Sequence, residues 1–134
     1  MSEGTYRQKI QRNAVIIAQL HRNNLETHAL RDQGAEQMAA WNHACSEFRN
    51  NYEALAFPGG TLGARDRMRS GDNEAIEYAI AFLEVRPYFF RSGYMYQEFM
   101  RVLRNCPLSD SQRRRYDRVR EKYLVYRAGR RRST

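Results

Sequence analysis

From Met38 onward the apolar side chains fall at Met38, Trp41, Cys45, Phe48, Tyr52 and Leu55, in steps of three and four that place all six on one helical stripe. A strand, whose side chains alternate every two residues, would scatter them over both faces. The same spacing recurs at Ile10, Ala14, Ile17, Ala18 and Leu25, which predicts a first helix of about 25 residues closing near Asp32-Gln33-Gly34. The link between the two stripes is so short that an antiparallel pair is expected.

Phe57-Pro58-Gly59-Gly60 then breaks the pattern, because proline disfavours helix at the residue before it and the glycines remove backbone preference. Thr61 to Gly71 reads as a loop with at most a short helix. Asp72 is a natural N-cap for a helix that turns Ala75, Ile76, Ala79, Ile80 and Leu83 inward and is bounded by Pro87. A further helix starts near Ser92 and buries Met95, Phe99, Val102 and Leu103. Ser109-Asp110-Ser111-Gln112 has the capping-box form and opens a last, basic helix.

The expected fold is therefore all-α: about five helices in short-linked antiparallel pairs, arranged as an irregular bundle or as HEAT-like stacked hairpins. Residues 1–128 should form a single all-helical domain, with 129–134 as a basic flexible tail. A chain of 134 residues buries roughly two-thirds of the surface of its unfolded form, enough for a core without staples. The longest apolar run, Ala14 to Ala18, is far short of the roughly 18 residues a membrane span needs. Gln8, Lys9, Gln11, Arg12 and Asn13 interrupt any secretory pattern, so a cytoplasmic protein with Cys45 and Cys106 as free thiols is expected.

Charge is distributed very unevenly. The last 22 residues, Arg113 to Thr134, hold ten of the 23 basic side chains and only Asp117 and Glu121 of the 15 acidic ones, which leaves thirteen of each sign in the rest of the chain. On the terminal helix Tyr116, Val119, Tyr123 and Tyr126 follow helical spacing and should face the core. Arg114, Arg118 and Lys122 line one flank, Arg113, Arg120 and Arg127 the other, with Arg130, Arg131 and Arg132 beyond. This is the expected basic surface, suited to an anionic partner.

Arg86, Arg91, Ser92, Gly93 and Tyr94 form the densest cluster of specific residues elsewhere. With Ser92 as the cap, a helix start flanked by arginines could take an anion. Alternatively it is a structural corner, with Arg91 on Glu84 or on a helix end.

No catalytic pattern stands out. The histidines lack His-x-x-x-His or Glu-x-x-His spacing, Gly59-Gly60-Thr61-Leu62-Gly63 lacks the lysine of a phosphate loop, and no nucleophile and base can be paired. No metal, no cofactor and no enzyme activity are expected. Three functions are consistent with this. The leading one is a non-catalytic interaction module, an adaptor or immunity-type inhibitor docking an acidic protein partner through Arg and Tyr. The second is a nucleic-acid-binding protein using the basic C-terminal helix and tail. The third is a small-anion-binding protein or enzyme at the Arg91 corner. No membrane partner is expected, and oligomeric state is left open.

Overall fold

Capping and breaking residues set where the helices begin and end. The computed structural model describes residues 3–133, with side chains over 4–130. It contains α1 (Glu3–Ala29), α2 (Ala35–Ala56), α3 (Ala64–Arg69), α4 (Asn73–Val85), α5 (Ser92–Leu103) and α6 (Asp110–Ser133), with one 3-10 turn at Arg31–Gln33. No strand occurs among the described residues, so the fold is all-α. It has one helix beyond the expected five, because part of the Gly- and Arg-rich loop coils into α3.

Two of the predicted start signals work as written. The Asp72 carboxylate accepts the Ala75 N–H at 3.2 Å. Ser109 and Gln112 cap reciprocally: the Gln112 N–H donates to the Ser109 hydroxyl at 3.1 Å, and the Ser109 N–H donates to the Gln112 side chain at 3.0 Å.

α4 lies at the centre. Spacing assigned it one inward face, yet Tyr78, Ala81 and Phe82 are buried as well as the expected five. The reason is that α1, α3, α5 and α6 all pack against it, and a helix with so wide an apolar surface is stable only when largely surrounded. Rings link the surrounding elements through it. Tyr78 meets Tyr6 at 6.1 Å and Phe57 at 5.1 Å, Phe57 meets Phe99 at 5.4 Å, and Phe82 meets Phe99 at 5.2 Å between centroids. These separations suit edge-on packing. Burial pushes the Tyr78 phenol up to about 12.

The turn after α2 is tied from two sides. Arg67 donates to the Pro58 carbonyl, and the Glu53 carboxylate accepts the Thr61 N–H at 2.7 Å. Gly59 adopts a φ of +79°, a left-handed conformation that favours glycine, and a Cβ there would sit 2.6 Å from the Arg67 guanidinium, which would have to shift.

Contacts along α1 and α2 pair early residues with late ones: Asn13 donates to the Leu55 carbonyl, Asn24 to the Cys45 sulfur, and His28 packs on Trp41. Tyr6, Ile10 and Ile17 are buried, but Leu25, expected on the same stripe, is 56% exposed. No side chain from Ala18 to His43 is fully buried. That end of the pair has only half-buried contacts, such as Arg31 over the Trp41 ring.

α6 divides into two parts. Gln112, Arg115, Tyr116 and Val119 are buried, and Tyr116 donates its hydroxyl to the Met100 carbonyl. From Leu124 to Arg130 every side chain is exposed. Tyr126, expected in the core with Tyr116, is 45% exposed. Residues 129–133, expected as a flexible tail, continue the helix, and Thr134 lies outside the described residues. None of the described helices is long and apolar enough to cross a membrane.

Candidate functional site

The terminal arginines do not share one environment. Arg115 points inward, its side chain only 8% exposed, and donates to Glu77 at 2.6 Å and to Glu84 at 2.7 Å. Arg7 reaches the same Glu84 at 3.2 Å. Gln112 extends the network, donating to Asn73 and Glu77. Burial opposes ionisation of Glu84, but the hydrogen bond and charge of Arg115, joined by Arg7, outweigh it and hold the carboxyl below the usual range. Burial likewise disfavours the Arg115 cation, and its bonds to Glu84 and Glu77 more than offset that.

Three others, Arg120, Arg127 and Arg130, border a groove of about 640 Å³ between α5 and α6. Its cations are Arg86, Arg101, Arg104, Arg120, Arg127 and Arg130, its floor is built from Tyr96, Met100, Tyr116 and Tyr123, and among the described residues no carboxylate lines it. Glu98, the acidic residue of α5, is engaged elsewhere by Arg65 at 2.7 Å. Asp117 and Glu121 of α6 are exposed and lie outside the groove. Among the described residues Arg86, Arg101, Arg104, Arg120 and Arg127 form no ion pair.

The guanidinium groups lie on rings instead. Arg86 sits 4.9 Å from the Tyr96 centroid and 4.9 Å from that of Tyr126. Arg127 lies over Tyr123 at 5.8 Å and Arg130 over Tyr126 at 5.9 Å. Such stacking restricts a long side chain while its N–H edge stays available. Arg86 reaches this position from the C-cap of α4 with a φ of +51°, a left-handed conformation uncommon for a residue with a side chain. Tyr96 and Tyr123 also border a second hollow of about 540 Å³, where Arg7, Arg86, Arg118 and Lys122 meet Glu84.

The five residues of the predicted corner are not brought together. Arg86 belongs to the α5–α6 groove. Arg91, Ser92 and Gly93 line a separate hollow with His21 and Phe90, and Tyr94 borders a third, with Gln97, Glu98 and Arg101. Ser92 does not cap α5: it is the first helical residue, and its hydroxyl accepts the Phe89 N–H at 3.0 Å. The cap position is Arg91, at φ +68°, exposed and resting on the Phe90 ring. Arg91 does not reach Glu84, which Arg115 and Arg7 already occupy.

Of the predicted basic surface, Arg120, Arg127 and Arg130 line the groove, and Arg118 and Lys122 line the second hollow. Arg114 faces solvent and Arg113 lies over Tyr116, while the side chains of Arg131 and Arg132 fall outside those described. Arg101 and Arg104 were missed, because the first 112 residues balance to zero and drew no attention. Their signal was present as a polar row, Gln97, Arg101 and Arg104, opposite the buried Met95, Phe99 and Val102. Among the described residues no three of His, Cys, Asp or Glu gather as metal ligands. In comparisons with known proteins, no family model, curated protein or solved structure matches the chain.

Proposed function

We propose that this protein is a non-catalytic interaction module that grips an acidic segment of a partner protein in the α5–α6 groove, acting in the cytoplasm as an adaptor or immunity-type inhibitor. One observation carries the reading: five guanidinium groups without an ion pair, those of Arg86, Arg101, Arg104, Arg120 and Arg127, border a groove that no carboxylate lines among the described residues. Like charges so gathered repel one another, and an acidic ligand relieves that repulsion. Arginine presents a planar fork matched to a carboxylate, and arginines already lying on tyrosine lose less freedom when they bind. Tyr96, Tyr123 and Tyr126 of the groove are covered by Arg86, Arg127 and Arg130, and Tyr116 by Arg113. What they offer a ligand is guanidinium edges, which favours carboxylates over the open ring faces on which nucleobases stack.

Fluorescence anisotropy with a labelled Glu-rich peptide tests the proposal, with single-stranded DNA as competitor. The expected result is saturable binding that weakens at least about tenfold in an Arg120→Ala/Arg127→Ala variant. Unchanged affinity in that variant, or preferential binding of the DNA, would overturn it.

A further inference from the structure

Leu124, Val125 and Tyr126 are apolar, consecutive and 49%, 69% and 45% exposed, on the part of α6 that has left the body. A helix that projects with both unbalanced charge and exposed apolar groups is incompletely partnered. Leu124 and Tyr126 border the groove and join its floor at Met100, whereas Val125 lies outside it. The groove thus has an apolar floor between two cationic walls, Arg101 and Arg104 on α5 and Arg120 and Arg127 on α6.

We infer that the occupant is an amphipathic helix, apolar on the side laid against Met100 and Leu124 and acidic along both flanks. This rests on the reading above and specifies the partner's shape. Three features select a helix. Tyr116 to Arg130, the stretch of α6 that borders the groove, spans about 21 Å, close to four helical turns. Cations at intervals of seven on α6 and three on α5 match carboxylates spaced at helical intervals along a facing element. The chain also has no strand among its described residues, so there is no sheet edge to pair the open backbone of an extended peptide, whereas a helix satisfies its own. A second copy of this chain is a poor occupant, because it would set two clusters of the same sign against each other.

Two labelled peptides of identical Glu, Leu and Ala composition provide the test. In one, leucine recurs at helical spacing with glutamate on both flanks; in the other, the same residues are rearranged so that leucine is spread all round. The patterned peptide is expected to bind about tenfold tighter, the worth of one buried leucine side chain, and to gain helical circular dichroism on binding. Leu124→Ser should abolish that advantage and Val125→Ser should keep it, both without changing thermal unfolding. Equal affinity for the two peptides, or no effect of Leu124→Ser, overturns the helical occupant. The acidic-partner reading survives either result if Arg120→Ala/Arg127→Ala still weakens both peptides. If neither peptide binds, or if single-stranded DNA is preferred to both, the two readings fall together.

Discussion

Within α6, Arg115 is held between Glu77 and Glu84 with its side chain nearly sealed from solvent, while Arg127, further along the same helix, lies exposed over Tyr123 and meets no carboxylate. Both are arginines beside tyrosines in a run of basic residues, and by composition they are equivalent. The difference comes from α4. Its 13 residues span about 20 Å, against about 36 Å for the 24 residues of α6, so α6 outruns the helix that supplies its counter-ions. Glu77 and Glu84 are seven apart and share a face of α4 that α6 crosses at Arg115. Among the described residues no carboxylate lines the groove. A basic run is thus part internal scaffold and part available surface, and the scaffold part is the face of α6 turned to Glu77 and Glu84.

The strongest way to break this contrast is Arg115→Met. It takes the main cation from two partly buried carboxylates, leaving Glu84 with Arg7 and Glu77 with Gln112, and removing one partner of such a network is expected to cost up to about 3 kcal/mol, read as a lowered urea midpoint. Unchanged stability would mean that Arg115 is no more structural than Arg127.

Acid should probe the same pair less severely. Because the folded Glu84 carboxyl is held below its usual range, its contribution is fully present above the unfolded value near pH 4.3 and is lost as pH falls through the lower folded value. Urea unfolding at several pH values down to about 2 should show this loss in the wild type and a flatter profile in Glu84→Gln. Identical profiles would remove Glu84 from the network.

The smallest effect is expected at Arg127→Ala, a change within about 0.5 kcal/mol by thermal unfolding. A larger loss would make the outer part of α6 structural too, and would weaken the case for a ligand there.

Local signals were the ones most readily read in advance. The Asp72 cap, the Ser109 and Gln112 box and the break at Pro58 each act within a few residues, and each operates as its residue types require. Ser92 shows the limit of such reading. Its hydroxyl accepts the Phe89 N–H of the preceding turn, a partner set by how the 86–91 connection is folded and not by its own residue type. Leu25 fails for a related reason: its place on a stripe was right, but no other helix buries that end of α1.

The groove was half legible. Arg120, Arg127 and Arg130 were marked by the charge excess, whereas Arg101 and Arg104 sit in a stretch whose signs cancel on paper. Cancellation in a count says nothing about distance, and Glu98 turns to Arg65 rather than to its arginine neighbours on α5.

Spacing and capping, both near-neighbour effects, determined that this chain is helical and where three of its six helices, α4, α5 and α6, start, and the order of charges showed that its basic excess lies at one end. Tertiary structure alone decided which arginines are neutralised, that Arg86 leaves its corner to lie between Tyr96 and Tyr126, and that α5 and α6 enclose a groove that no carboxylate lines among the described residues. Those outcomes depend on pairs of residues far apart in the chain meeting at a few ångströms, and helical periodicity carries no information about such distances.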